Sequence, residues 1–182
     1  MTGWKRLSRK VIYETKFLRL YEDTVQLPGG DIIDNYSVVS TGDSVVVVAT
    51  DENDNVLLFP EYKYPIDQEI LCFPAGGIDS DESPINAAKR ELREETGYDS
   101  DDIEILGESY DYPSKVQHKD YIVRIRNVRK MTDITHEATE SIGELILTPI
   151  SDINELWRSG KFKSTHMASA LAYAFPEQLV RG

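Results

Sequence analysis

Cysteine is almost missing from this chain: its 182 residues include one, Cys72, which excludes an internal disulfide and a thiolate zinc site. Long apolar runs are missing too, since none approaches the roughly 18 residues that span a bilayer. The start, Met1 to Lys10, is basic but lacks the apolar core of a signal peptide. A cytoplasmic protein without a membrane segment is therefore expected. Basic charge is in short supply, with 20 Lys and Arg against 32 Asp and Glu and a net charge of -12. That is the wrong sign for holding nucleic acid by its phosphates, so a phosphate ligand would need metal ions as intermediaries. The three histidines, His118, His136 and His166, show no metal spacing such as H-E-x-x-H. Repeats and low-complexity segments are absent. What is present is 40% hydrophobic and 29% charged residues, the composition of a globular protein. The length is that of one domain of roughly 150 residues with a small extension.

From residue 9 to about 73 the pattern is strand-like. Val11-Ile12-Tyr13 and the stretch Phe17 to Tyr21 lead to Thr24-Val25-Gln26-Leu27, and Pro28-Gly29-Gly30-Asp31 turns the chain into Ile32 to Val39. An antiparallel hairpin or three-stranded sheet is predicted, with a boundary near residue 42. The run Ser44 to Thr50 reads as a strand covered on both faces, joined by the polar turn Asp51 to Asn55 to Val56-Leu57-Leu58-Phe59. Further strands are predicted at Ile103 to Tyr110, Tyr121 to Val128 and Glu144 to Thr148, with a polar stretch from Met131 to Ser141. Two helices are predicted to follow, Ser151 to Arg158 and Lys163 to Ala174.

The clearest element is a helix from Ser83 to Thr96: Ser83 suits the N-cap, Pro84 the first turn, and Gly97 the position after the end. At about 100° per residue, Ile85, Ala88, Leu92 and Thr96 face one way, while Glu91, Glu94 and Glu95 lie one turn apart on another face. Like charges so spaced cost a few tenths of a kcal/mol per pair, and a hard divalent cation would offset that. On the helix alone, a solvated acidic face with Arg90 and Arg93 interspersed explains it as well.

The frame from Gly76 to Tyr98 resembles the Nudix box, G-x5-E-x7-R-E-U-x-E-E-x-G-U with U aliphatic. Gly76, Glu82, Arg90, Glu91, Leu92, Glu94, Glu95 and Gly97 match, and Tyr98 departs. The resemblance implies an α+β fold: a Nudix αβα sandwich with mixed β-sheet over residues 43–182, preceded by a small N-terminal antiparallel β subdomain over 1–42. It implies that the backbone oxygen of Ala75 and the side chains of Glu91, Glu94 and Glu95 bind metal, Mg²⁺ or alternatively Mn²⁺. By the same resemblance Glu82 and Arg90 brace the loop against the helix. The implied activity is hydrolysis of nucleoside diphosphates linked to another group.

Most of residues 10 to 175 is similar to the branch that hydrolyses ADP-ribose and other nucleoside diphosphate sugars. In that branch an N-terminal sheet exchanges with a partner subunit, which implies a homodimer. A proline sixteen residues after the box glycine marks its ADP-ribose-type members, and Pro113 stands there. Lys63 in Leu57 to Pro65 matches a basic residue that reaches a substrate phosphate, where arginine is usual. Phe17 and Tyr36 stand where the resembling enzymes clamp the purine, although packing within the sheet explains each equally well. Cys72 replaces a usual acid, and His118 follows Pro113 closely enough to line a pocket. The general base is expected from the polar stretch that holds Asp133, Glu137 and Glu140; in the resembling enzymes the acid comes from a loop just before the strand that here begins near Ile142, and that resemblance favours Glu140 over Glu137. Alternatives are a dinucleoside polyphosphate or coenzyme A pyrophosphatase, and a non-catalytic ADP-ribose sensor.

Overall fold

The computed structural model describes residues 3–134 and 141–180. In chain order its strands are β1 (Lys5–Glu14), β2 (Arg19–Gln26), β3 (Ile32–Ser40), β4 (Ser44–Asp51), β5 (Asn55–Lys63), β6 (Gln68–Cys72), β7 (Ala75–Gly77), β8 (Tyr98–Asp99), β9 (Asp102–Ser109), β10 (Val116–Gln117), β11 (Asp120–Lys130) and β12 (Ile146–Pro149). The helices are α1 (Pro84–Thr96), α2 (Ile153–Arg158), α3 (Thr165–Ala174) and α4 (Pro176–Val180). Among the described residues no helix is long and apolar enough to cross a membrane. The chain divides into two units, residues 1–43 with 110–119, and residues 44–109 with 120–182.

The first unit is one four-stranded sheet in the order β1-β2-β3-β10. β1, β2 and β3 form the antiparallel meander that the turn residues suggest, and β10 adds a parallel strand with Val116 opposite Val39. Asp31 closes the Pro28-Gly29-Gly30 turn, its carbonyl accepting the Leu27 N–H at 2.8 Å. Among the described residues of this unit only Asp23 and Val25 are buried. A buried carboxylate needs a partner, and Arg9 supplies one with a two-pronged contact, Nε and Nη2 each 2.8 Å from an Asp23 oxygen. Those hydrogen bonds hold the Asp23 carboxyl below its ordinary range.

In the second unit β4 is central. β11 runs parallel along one edge, while β5 and β7 share the other at opposite ends, both antiparallel. The sheet order is β12-β5-β4-β11-β8, with β6 on β5 and β9 on β11. Side chains alternate across a strand, so β4 faces two cores. Val45, Val47 and Ala49 pack with Leu57, Val123 and Ile125 beneath Ala87, Ala88 and Leu92 of α1. Val46 and Val48 pack with Leu58, Phe59 and Ile122 against Met167, Ala170 and Leu171 of α3. Each such side chain contributes roughly 1.5–3 kcal/mol by leaving water. Helix, mixed sheet, helix is the layering expected for residues 44–50 covered on both faces.

Several local expectations shift. Ile85 is exposed and Ala87 is buried, so the inward stripe of α1 is Ala87, Ala88, Glu91, Leu92, Glu95 and Thr96. Two of the three carboxylates therefore share the buried face instead of occupying a separate one. β6, β7, β8 and β10 are strands of five residues or fewer, too short to show an alternating pattern. The last strand begins at Ile146 instead of Glu144, and a further helix, α4, begins at Pro176. The α1 boundaries are as expected: the Ser83 hydroxyl accepts the Asn86 N–H at 3.2 Å, and Gly97 ends the helix with φ of 75°. Gly97 is also needed for space, because a Cβ there would collide with the Thr132 carbonyl oxygen. Tyr98 pairs with Lys130 and packs partly buried beside the α1 core, so its ring takes the place of an aliphatic side chain.

Candidate active site

All the residues implied by the box motif lie in the second unit, and Arg90 organises them. Its Nε and Nη2 meet Glu82 at 3.1 and 2.9 Å, Nη2 also donates to the Gly77 carbonyl at 2.8 Å, and Nη1 meets Glu91 at 2.6 Å and Glu94 at 3.3 Å. One planar guanidinium with five fixed donors can span a loop and a helix in this way, and an ammonium cannot. The hydrogen bonds that Arg90 donates to Glu82 hold the Glu82 carboxyl below its ordinary range and raise Arg90 above its own.

The glycine loop meets the same helix face because β7 pairs with β4, with Ala75 opposite Val46 and Gly76 opposite Val45. The Ala75 N–H donates to Glu95 at 3.0 Å. Gly76 lies so close to Glu91 that a Cβ would overlap its carboxylate. Gly77, by contrast, has nothing within 4 Å of such a Cβ. The two glycines thus do different work: Gly76 makes room for a carboxylate, and Gly77 offers its carbonyl to Arg90.

These residues fit a divalent cation. Glu82, Glu91 and Glu94 all meet the guanidinium of Arg90, and Glu95, on the same helix as Glu91 and Glu94, accepts the Ala75 N–H. Glu91 and Glu95 are 6% and 4% exposed, so their carboxylates are largely withdrawn from water. Oxygen donors of this kind suit hard cations such as Mg²⁺. Glu94 is half-exposed.

Lys63 stands apart from the Arg90 cluster. Its ammonium lies 2.5 Å from Glu61 Oε1, a partner two residues away on the same face of β5, where strand alternation puts it. The pairing was readable from the spacing, yet Glu61 drew no attention. Cys72 sits within electrostatic reach of Glu61, Lys63 and Glu95, and burial first and foremost pushes its thiol up to about 12. The neutral thiol cannot supply the acid that the family usually has there.

Tyr36, Pro113 and His118 come together in the first unit, lining a cavity of about 610 Å³ with Asp43, Lys115 and Lys119 among the other walls. Phe17 is not among the lining residues and is 72% exposed. Lys115 and Lys119 were not singled out by sequence reasoning, because a lysine in a polar loop carries no signal by itself. Glu137 and Glu140 lie outside the described residues. Ser141, which follows them, accepts the Tyr62 N–H of β5 at 3.1 Å.

The chain is 24% identical over 169 residues to the ADP-ribose pyrophosphatase of Bacillus subtilis (strain 168), covering 93% of this chain and 91% of that one. It is 32% identical over 102 residues to the methanol dehydrogenase activator of Bacillus methanolicus, a match spanning 56% of this chain and just over half, 55%, of that one. A crystal structure of an ADP compounds hydrolase superposes with a TM-score of 0.82 at 22% identity, covering 94% of this chain and 91% of the other, which shows a shared fold. Residues 4–39 match the nucleoside diphosphate sugar hydrolase N-terminal domain. Residues 40–167 match the NUDIX domain, and with most of its length so matched the chain belongs to that family.

Proposed function

We propose that this protein hydrolyses the pyrophosphate bond of nucleoside diphosphate sugars, ADP-ribose among them, to a nucleoside monophosphate and a sugar phosphate. The observation that carries the reading is that Arg90 ties Glu91 and Glu94 to the Gly77 carbonyl while Glu95, on the same helix, accepts the Ala75 N–H. Ala75, Glu91, Glu94 and Glu95 would hold Mg²⁺, with Mn²⁺ as a substitute. Such an ion, when bound, neutralises pyrophosphate charge and lowers the pKa of an attacking water. Arg90 aims Glu91 and Glu94, and Glu82 fixes Arg90. Water oxygen bonds to one phosphorus, the bond from that phosphorus to the bridging oxygen breaks, and one water proton passes to a general base. That base is Glu140, ahead of Glu137. Lys63 meets a substrate phosphate, and Tyr36, Pro113 and His118, with Phe17, contribute to substrate binding.

The test is a substrate panel with Mg²⁺: ADP-ribose, ADP-glucose, GDP-mannose, UDP-glucose, diadenosine polyphosphates and coenzyme A, with products separated by chromatography. AMP and ribose 5-phosphate from ADP-ribose are expected, and Glu140→Gln should lower turnover by at least about a hundredfold. Turnover of a polyphosphate or coenzyme A with every nucleotide sugar inert would sink the substrate assignment. Full activity in both Glu140→Gln and Glu137→Gln would remove the base.

The protein is further read as a homodimer built on the N-terminal sheet. Leu7, Val11, Ile12 and Tyr13 of edge strand β1 are all exposed, in a unit whose buried residues among those described are Asp23 and Val25. A sheet with so little core is marginal by itself. Light scattering should give twice the chain mass of 20.7 kDa, and an active monomer at assay concentration would overturn this.

A further inference from the structure

β5 carries one carboxylate, Glu61, and it stands on a well-supported piece of backbone. Glu61 pairs with Ile70 of β6 on one side and is bridged to Ile142 on the other. Lys63 has less support, as the last residue of β5 before the helical turn Tyr64–Ile66. Residues two apart on a strand share a face, and here the Lys63 ammonium closes on Glu61 Oε1 at 2.5 Å. The Glu61 side chain is 13% exposed and that of Lys63 37%. The acceptor is thus the withdrawn member of the pair, and the cation keeps access to solvent.

Cys72 lies diagonally across the β5–β6 pair from Glu61, since Phe59 is opposite Cys72 and Glu61 opposite Ile70. After burial, the charge of Glu61 is the strongest influence that keeps the Cys72 thiol neutral, with Lys63 opposing it. A neutral thiol offers Lys63 no counter-charge, so Glu61 is what fixes the ammonium. Lysine has a long stem with many rotamers, and a phosphate that recruits it must immobilise them. A carboxylate that already holds the ammonium immobilises them beforehand, and it occupies one of three N–H donors, leaving two for a ligand. Neutralisation works the other way, by weakening the pull on an anion. Solvent screens the charge of a cation this exposed but does nothing to its rotamer freedom, so ordering outweighs neutralisation.

We propose that Glu61 is a positioning residue, which holds the Lys63 ammonium where a phosphate of the nucleotide sugar meets it. The inference rests on the reading of Lys63 as a phosphate contact, but not on hydrolysis.

Titration calorimetry on the full chain with Mg²⁺ tests it, using the α,β-methylene analogue of ADP-ribose, which cannot be cleaved at the bridge. Glu61→Ala should weaken binding about threefold to tenfold, the cost of ordering one long side chain, and Lys63→Met at least about tenfold. Glu61→Gln keeps an acceptor oxygen at the same reach and should recover most of the loss. In the Lys63→Met background, Glu61→Ala should change binding by less than about twofold, because a residue that acts through Lys63 has nothing left to act on. With ADP-ribose itself the loss should fall on KM more than on kcat. Thermal melting checks the fold; if Glu61→Ala does not fold, Glu61→Asp takes its place, with the charge kept and the reach one methylene shorter, and the same loss is expected. Tighter binding by Glu61→Ala would mean that neutralisation wins. An equal loss in the Lys63→Met background would mean that Glu61 acts elsewhere, and Glu61→Gln as weak as Glu61→Ala would mean that charge matters and placement does not. Each of these overturns the proposal. A wild-type protein that binds the analogue but cleaves no nucleotide sugar loses the hydrolytic reading and keeps the Glu61–Lys63 coupling. Cleavage with no coupling between the two residues does the reverse, and no binding of the analogue removes the Lys63 contact and this proposal together.

Discussion

Glu94→Gln and Glu95→Gln are each expected to fold normally and to lose at least about a hundredfold in Mg²⁺-dependent turnover. Outer-shell partners of a metal site typically cost 10–100-fold when changed, so a ligand should cost no less. Glu94 is half-exposed, and glutamine there keeps the side chain's length while removing the charge. Glu95 is buried and accepts the Ala75 N–H, and the amide oxygen of glutamine can accept the same hydrogen bond. Loss of activity should therefore come without loss of fold, checked by circular dichroism and thermal melting. Metal binding read directly by Mn²⁺ paramagnetic resonance should fall in parallel. Near-wild-type turnover in both variants at saturating Mg²⁺ would falsify the assignment of the carboxylates to metal.

The second large effect is expected from a single methyl group. In Gly76→Ala the new Cβ would occupy the space of the Glu91 carboxylate, a group that is buried and tied to Arg90 at 2.6 Å. Glu91 must move, and it takes Arg90 with it. Displacements of about 1 Å at such a site can cost on the order of a hundredfold in rate. The backbone at Gly76 does not require a positive φ, so the effect is one of space and not of conformation. Gly77→Ala is the matched comparison, because its Cβ meets nothing within 4 Å and its carbonyl is kept for Arg90. Turnover in Gly76→Ala should fall at least about tenfold below that of Gly77→Ala. Equal turnover in the two would mean that Glu91 has slack, and the close approach of loop to helix would lose its functional meaning.

What could be read without coordinates follows from how local each feature is. The caps of α1 are short-range chemistry, a serine hydroxyl reaching three residues ahead and a glycine in the left-handed region, and both were legible. The clustering of Glu91, Glu94 and Glu95 follows from helical periodicity alone. The rotation of that helix was not legible. Ile85 and Ala87 differ by two residues, and which of them turns inward is decided by the sheet beneath α1, in a direction the helix's own sequence does not encode. The burial of Glu91 and Glu95 has the same origin, since the Ala75–Gly77 strand that covers them pairs with β4, some thirty residues earlier.

By itself, then, the sequence determined the longer elements, the caps of α1, and the carboxylate spacing with its matching loop glycines and arginine, because these depend mainly on near neighbours in the chain. The tertiary structure alone decided that residues 110–119 join residues 1–43 in one unit. It did so through backbone pairing of Val116 with Val39, groups that every residue carries and that therefore leave no mark on composition. That pairing brings Lys115 over Tyr36, 79 positions apart, and turns a lysine in a polar loop into the positive wall of a cavity.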